Sequence, residues 1–193
     1  MKDSATTILD LVAEAGTLKS VRRSGWWMIG LKNGESVAEH SFRTGLLGYL
    51  LAKMEGVNPY PVVMMSLLND LHEARINDLH KVGHRYIDFR SAEKKAAAEQ
   101  MADLPPGIRK DLAGWSKELH SQSTRASVIA RDADLLECMI QGKEYAERGH
   151  PKAIAWMTRS AHLLKTKSAK KLVRRLKSWK SDQWWQNLVT LAR

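Results

Sequence analysis

Residues 62–78 read VVMMSLLNDLHEARIND. Ahead of them, Asn58-Pro59 is a helix-opening pair, with asparagine as cap and proline at the first helical position. The spacing therefore predicts a helix from Pro59 to about Arg75. Its first half, Val62 to Leu68, is predominantly apolar; its second half places Asp70, His72 and Glu73 in consecutive turns, with Asp78 five residues further on. Asp70 and Glu73 are one turn apart and share a face. Such a change of character has two readings. Either the helix has reached the surface, or the acids are satisfied by a metal ion or a catalytic pocket.

The same helical signals continue in both directions. Ser4 to Gly16 carries Ile8, Leu9, Leu11, Val12 and Ala15 at helical spacing and ends on glycine. Thr17 to Gly34 is punctuated by glycine and Asn33-Gly34 and reads as irregular. Ser36-Val37-Ala38-Glu39 is a capping box that opens a helix to about Lys53. Ser91 starts an Ala/Lys/Glu-rich helix that has to stop by Pro105-Pro106, and a shorter helix follows to about His120. Ser123 caps a long helix to Arg148, and the last segment reads as one or two basic helices with Leu172, Leu176 and Trp179 on one stripe. No alternating strand pattern persists anywhere. The fold class expected is all-α, a compact helical bundle in one domain.

The 193 residues are enough for one full core and too few for two large domains. A single cysteine, Cys138, excludes an internal disulfide framework and fits a reducing compartment. The opening Met1-Lys2-Asp3-Ser4 lacks a secretory pattern, and no uncharged stretch approaches a membrane span. A cytoplasmic location without membrane attachment is the expectation. The formal net charge of +10 is localised: residues 1–150 hold 20 basic and 20 acidic side chains, whereas 151–193 hold 11 basic residues and Asp182. The chain is thus divided into a neutral core, 1–150, and a basic helical segment, 151–193, packed on that core or used for interactions. A basic segment with Trp179, Trp184 and Trp185 among its cations suits the phosphates and bases of nucleic acid, or is a solubilising face.

Two further positions bear on the acidic cluster. Glu39-His40 lies in the first turn of a strongly apolar helix. Asp134 interrupts the apolar run from Val128 to Ile140, where an unpaired carboxylate is costly and a cation relieves it. His40, the pair Asn69-Asp70, and Asp134 sit on three separate expected helices. This arrangement resembles the HD-domain phosphohydrolase superfamily, whose signature is H…HD…D around a divalent metal. LKSVRRSGW at 18–26, followed by ESVAEHS at 35–41, is similar to the opening of the YfbR-like 5′-deoxynucleotidases and their eukaryotic HD-domain relatives. DLHEARIND at 70–78 resembles their D-x-x-E-A-x-x-x-D segment, and DLLECMIQGKEY at 134–145 their last metal-binding helix. The likeness runs from about Leu18 to Glu147.

The resemblance implies a helical bundle, usually dimeric, that removes the 5′-phosphate of deoxynucleoside monophosphates. By motif position, His40, Asn69, Asp70 and Asp134 would hold one divalent ion: manganese, cobalt, zinc or magnesium. Glu73 and Asp78 would serve as catalytic groups, Arg23 would meet the phosphate, and Trp26 the sugar or base. The chemistry agrees: a divalent ion acidifies water and neutralises phosphoryl charge, a carboxyl group can protonate the departing oxygen, and arginine matches phosphate with two donors. Superfamily members share this centre across several phosphate esters, nucleoside triphosphates included. Asn69 departs from the pattern, which has histidine there. An amide oxygen is a weak, neutral ligand, so the departure implies weakened metal binding, or a degenerate scaffold that binds nucleotide or nucleic acid without turnover.

Overall fold

The computed structural model describes residues 3–186, 188 and 189; Met1 and Lys2, and residues 187 and 190–193, which fall within the two expected segments, lie outside the described residues. Among the described residues the regular elements are all helical, and the one β-type contact is an isolated antiparallel bridge between Arg22 and Ser36.

Capping chemistry sets the helix starts. The Asp3 carboxylate accepts from the amides of Ala5 and Thr6 to open α1, Ser4–Gly16. Ser36 and Glu39 form the expected capping box at the head of α2, Val37–Glu55, which ends at Gly56 in the left-handed region, φ 67°. Asn58 accepts from the Tyr60 amide to open α3, Pro59–Leu68. After α4, Glu73–Ile76, come α5, Phe89–Met101, and α6, Pro106–Ser121. Thr124, rather than Ser123, caps α7, Arg125–Glu147, and Asp88, rather than Ser91, caps α5. The basic segment forms α8, Ile154–Ser160, α9, Lys167–Leu176, and the single turn α10, Gln183–Gln186.

The helix expected through Arg75 is not continuous. It stops at Leu68, and the next backbone bonds are of the i→i−3 kind: Leu71 to Leu68, Glu73 to Asp70, Ala74 to Leu71 and Arg75 to His72. This tighter winding turns the chain where an ideal helix would send Asn69 and Asp70 about 100° apart.

Long, central α7 packs between α2 and α3 on one side and the basic segment on the other. Leu51, Met65, Ile129, Leu136 and Met139 are almost wholly buried in the main core. Gly48 lets α2 and α3 approach: a Cβ there would lie 2.9 Å from Ser66 Oγ and 3.1 Å from Val62 Cγ1. Leu164, Ala169 and Leu176 enter the same core, with Leu172 and Trp179 packed against it, so the apolar stripe of the basic segment faces inward.

Asp132, 1% exposed, latches that segment. Its carboxylate accepts from the amides of Lys165 and Thr166 and from the Thr166 hydroxyl, at 2.7–3.0 Å. Three donors lose their acceptor in Asp132→Ala. The expected cost is about 3 kcal/mol, the scale of bonds to a buried charge, read as a lower urea midpoint at unchanged slope.

Candidate metal centre

The bridge between Arg22 and Ser36 brings the irregular N-terminal segment to the head of α2. The Arg23 amide donates to Glu35 O at 3.0 Å and the Val37 amide to Val21 O at 2.8 Å, which places Arg23 beside the first turn of the helix that carries His40. That histidine, 1% exposed, points into the bundle. Its Nδ1 is hydrogen-bonded to Glu137 Oε2. Its Nε2 lies 3.1 Å from Asp134 Oδ1 and 3.5 Å from Asp70 Oδ2.

Expected on three helices, these residues meet at one buried place. Ligand atoms of His40, Asp70 and Asp134 all lie within 4.8 Å of one another. Asn69 joins through its neighbour, donating from its amide nitrogen to Asp70 Oδ1 at 2.7 Å. Arg23 donates to Asp70 Oδ2 at 3.3 Å, stands 4.0 Å from Asp78 Oδ1, and reaches Cys138 Sγ at 3.1 Å. Asp78 in turn accepts from the Ser24 amide, which ties the Arg23 segment to the acidic turn. Asn77, just before it, holds φ 61° and ψ 167°, a conformation that favours glycine.

The electrostatics are those of a buried anionic cluster. Burial pushes Asp134 up, yet its bond to His40 and the charge of Arg131 hold it well below the usual carboxylate range. Burial and Arg23 press His40 toward neutrality, and the surrounding anions, Glu137 and Asp134 among them, more than offset both. Burial, reinforced by the charges of Asp70 and Asp78, pushes Glu73 up to about 10. Glu73 is 5% exposed, and its Oε2 has no hydrogen-bond partner.

This donor set fits a divalent cation. One imidazole nitrogen and two carboxylates converge, and the other imidazole nitrogen is fixed by a carboxylate. A second grouping, His40 with Glu137 and Cys138, fits less well: burial pushes the Cys138 thiol up to about 12, which opposes thiolate formation.

Trp26, expected at the sugar or base, is 2% exposed; its indole N–H donates to Glu35 Oε1 at 3.1 Å and its ring lies edge-on to Tyr145. Trp27 is exposed. His72 turns away from the centre toward Glu93, 3.5 Å from Nε2 to Oε1. Three residues that the sequence reading passed over complete the surroundings. Glu137, fully buried, orients His40 and accepts from Arg43 Nε at 2.7 Å. Arg43 is itself held by Gln141 and Glu144. Glu35, pushed up to about 7 by burial and by the Glu137 charge, anchors Trp26. One signal pointed to Glu137: it stands one turn after Asp134, between the apolar Leu135-Leu136 and Met139-Ile140.

Glu137→Gln keeps the shape of the group but weakens its grip on the imidazole. Metal affinity is expected to fall 10–100-fold, the range for partners of metal-bound histidine, as measured by calorimetric titration. Unchanged affinity would show that Glu137 serves Arg43 alone.

An HD domain family model matches residues 15–177, and so extends past the last motif into the basic segment. The 5′-deoxynucleotidase HDDC2 of Danio rerio is 28% identical over 141 residues, covering 72% of this chain and 70% of its own. That of Homo sapiens is 25% identical over 147 residues, covering 76% and 72%. A solved structure of a conserved hypothetical protein from Pyrococcus furiosus superposes with a TM-score of 0.74 at 26% identity, over 89% of this chain and 99% of that one.

Proposed function

This chain belongs to the HD domain family, and from that premise we propose that it is a metal-dependent phosphohydrolase that removes the 5′-phosphate of deoxynucleoside monophosphates. The observation that carries the reading is the convergence of His40, Asp70 and Asp134 at one buried point, with Arg23 and Glu73 alongside. The similarity to 5′-deoxynucleotidases supports the substrate class.

His40, Asp70 and Asp134 would hold the ion, and Asn69 would have only its amide oxygen to add to them. A divalent cation in this place supplies Lewis-acid polarisation of a phosphoryl oxygen and a more acidic water. Manganese, cobalt, zinc and magnesium all suit imidazole and carboxylate donors to differing degrees. Arg23 turns from its carboxylate partners to the substrate phosphate, which takes two of its donors. In hydrolysis, water adds to phosphorus, the bond to the 5′-oxygen breaks, and that oxygen takes up a proton. Glu73, with a carboxyl oxygen free of other bonds beside the cluster, is placed to deliver it. Asp78 keeps the Ser24 turn and Arg23 in register. Trp26 acts at the sugar or base only where its buried edge is uncovered.

The test is phosphate release from a panel of deoxynucleoside and ribonucleoside mono- and triphosphates with each of the four metals. Release confined to deoxynucleoside monophosphates is expected; release from triphosphates alone would replace the substrate, and none from any member would sink the reading.

The protein acts in the cytoplasm as a homodimer, in this reading. Among the described residues no helix is long and apolar enough to cross a membrane. A second reading concerns the basic segment as a nucleic-acid face. Lys167, Lys170, Lys171, Arg174, Arg175 and Lys177 are all exposed, and none has an ion-pair partner among the described residues. Trp184 and Trp185 are exposed beyond them. Oligonucleotide binding that weakens steeply with salt would support it; its absence at low salt would end it.

A further inference from the structure

The outer face of α2 is apolar where a solvated helix is polar. Phe42 is 70% exposed, Leu46 53%, Tyr49 45% and Leu50 48%, with Met54 beside them at 50%. On a helical projection, the first four fall within about 100° of arc, opposite the buried side that carries His40, Thr44, Leu47 and Leu51. Large side chains contiguous on one face mark an interaction surface rather than the scattered exposure that any protein shows.

The charges on this face select its occupant. Glu39 and Lys53 lie in the same arc, each seven residues from Leu46 and of opposite sign. Both are exposed: Lys53 has no ion-pair partner among the described residues, and Glu39, although it caps α2 through Ser36 and stands 3.9 Å from Arg22, leaves two thirds of its side chain open to solvent. A two-fold axis through Leu46 that pairs α2 antiparallel with itself sets each Glu39 against the other copy's Lys53. The same axis sets Phe42 against the second Leu50, and Leu46 against itself. A parallel pairing would instead oppose like charges. Such self-complementarity is the property of an isologous interface.

The geometry points to α2 as the surface on which two copies of this chain meet, antiparallel and centred on Leu46. The inference rests on the homodimer reading above and adds the face. Glycine supports the design from within, since Gly45 and Gly48 seat α2 closely on α3 and leave the bulky residues for the outside. His40 belongs to the same helix on its opposite side, so each copy keeps a complete metal centre.

The experiment is sedimentation equilibrium of the full chain over a wide concentration range, beside Leu46→Glu and Lys53→Glu. A wild-type dimer is expected, with the dissociation constant raised about 30-fold or more by Leu46→Glu, the scale of a central interface residue. Lys53→Glu, which sets two carboxylates against each other across the axis, weakens association. Leu46→Cys, under mild oxidant, is expected to give a disulfide-linked dimer. Circular dichroism of each variant shows that the fold persists. A dimer unaffected by Leu46→Glu and not cross-linked through Leu46→Cys would overturn the assignment of the face and leave the homodimer standing. A monomer at every concentration would overturn both.

Discussion

Asp70→Asn is expected to abolish stoichiometric metal binding and to lower phosphate release by about a thousandfold or more, at the upper part of the range for removing one essential catalytic interaction. Asp70 is the busiest acid of the centre. Its Oδ2 faces both His40 and Arg23, and its Oδ1 accepts from Asn69. Loss of its charge leaves one carboxylate, Asp134, to share a cation with His40, and it releases Arg23 toward Asp78. Elemental analysis after dialysis, together with phosphate release, reads the result. The fold should survive, because the change is isosteric and relieves repulsion among Asp70, Glu73 and Asp78. Metal retained at one equivalent per chain would mean that the ion sits elsewhere.

Asn69→His is expected to do the opposite. The amide donates to Asp70 Oδ1 at 2.7 Å, and its carbonyl oxygen is the one ligand atom it can offer. Imidazole nitrogen is the stronger donor to transition metals. Affinity for manganese or cobalt should rise at least 10–100-fold, a span that even outer partners of a metal site command, with turnover rising alongside. Equal metal content and equal turnover in the two proteins would show that the amide serves as well as imidazole.

Local chemistry was the legible part of this fold. The Ser36–Glu39 box, the Asn58-Pro59 opening and the Gly16 end all act within a few residues, so they can be read without knowing the neighbours. The break at Asn69 was not legible. Apolar periodicity does not distinguish an α-turn from i→i−3 winding, and here the distinction follows from where Asp70 must point. The start of α7 moved by one residue because Ser123 and Thr124 are both good caps, and only Thr124 finds its reciprocal partner in Ser127. At the centre, His40, Asp70 and Asp134 were found by their likeness to a known pattern, and the structure brings them together. Glu137 and Glu35 were not found. The first is one of several carboxylates on α7, and its meaning depends on a histidine 97 positions away. The second directly precedes the Ser36–Glu39 capping box, whose local chemistry accounts for the polar residues around it.

Asp132 and Asp134 are two residues apart on one helix and therefore face nearly opposite ways. One fastens the basic segment, the other belongs to the metal centre. A single rigid rod thus has a load on each side, and the two loads obey thermodynamic reciprocity. Whatever free energy an ion contributes by ordering this stretch of α7 is returned, in equal measure, as tighter docking of the chain that follows Leu164. The docked segment and the centre are thus joined through one helix, and any free energy that couples them acts equally in both directions.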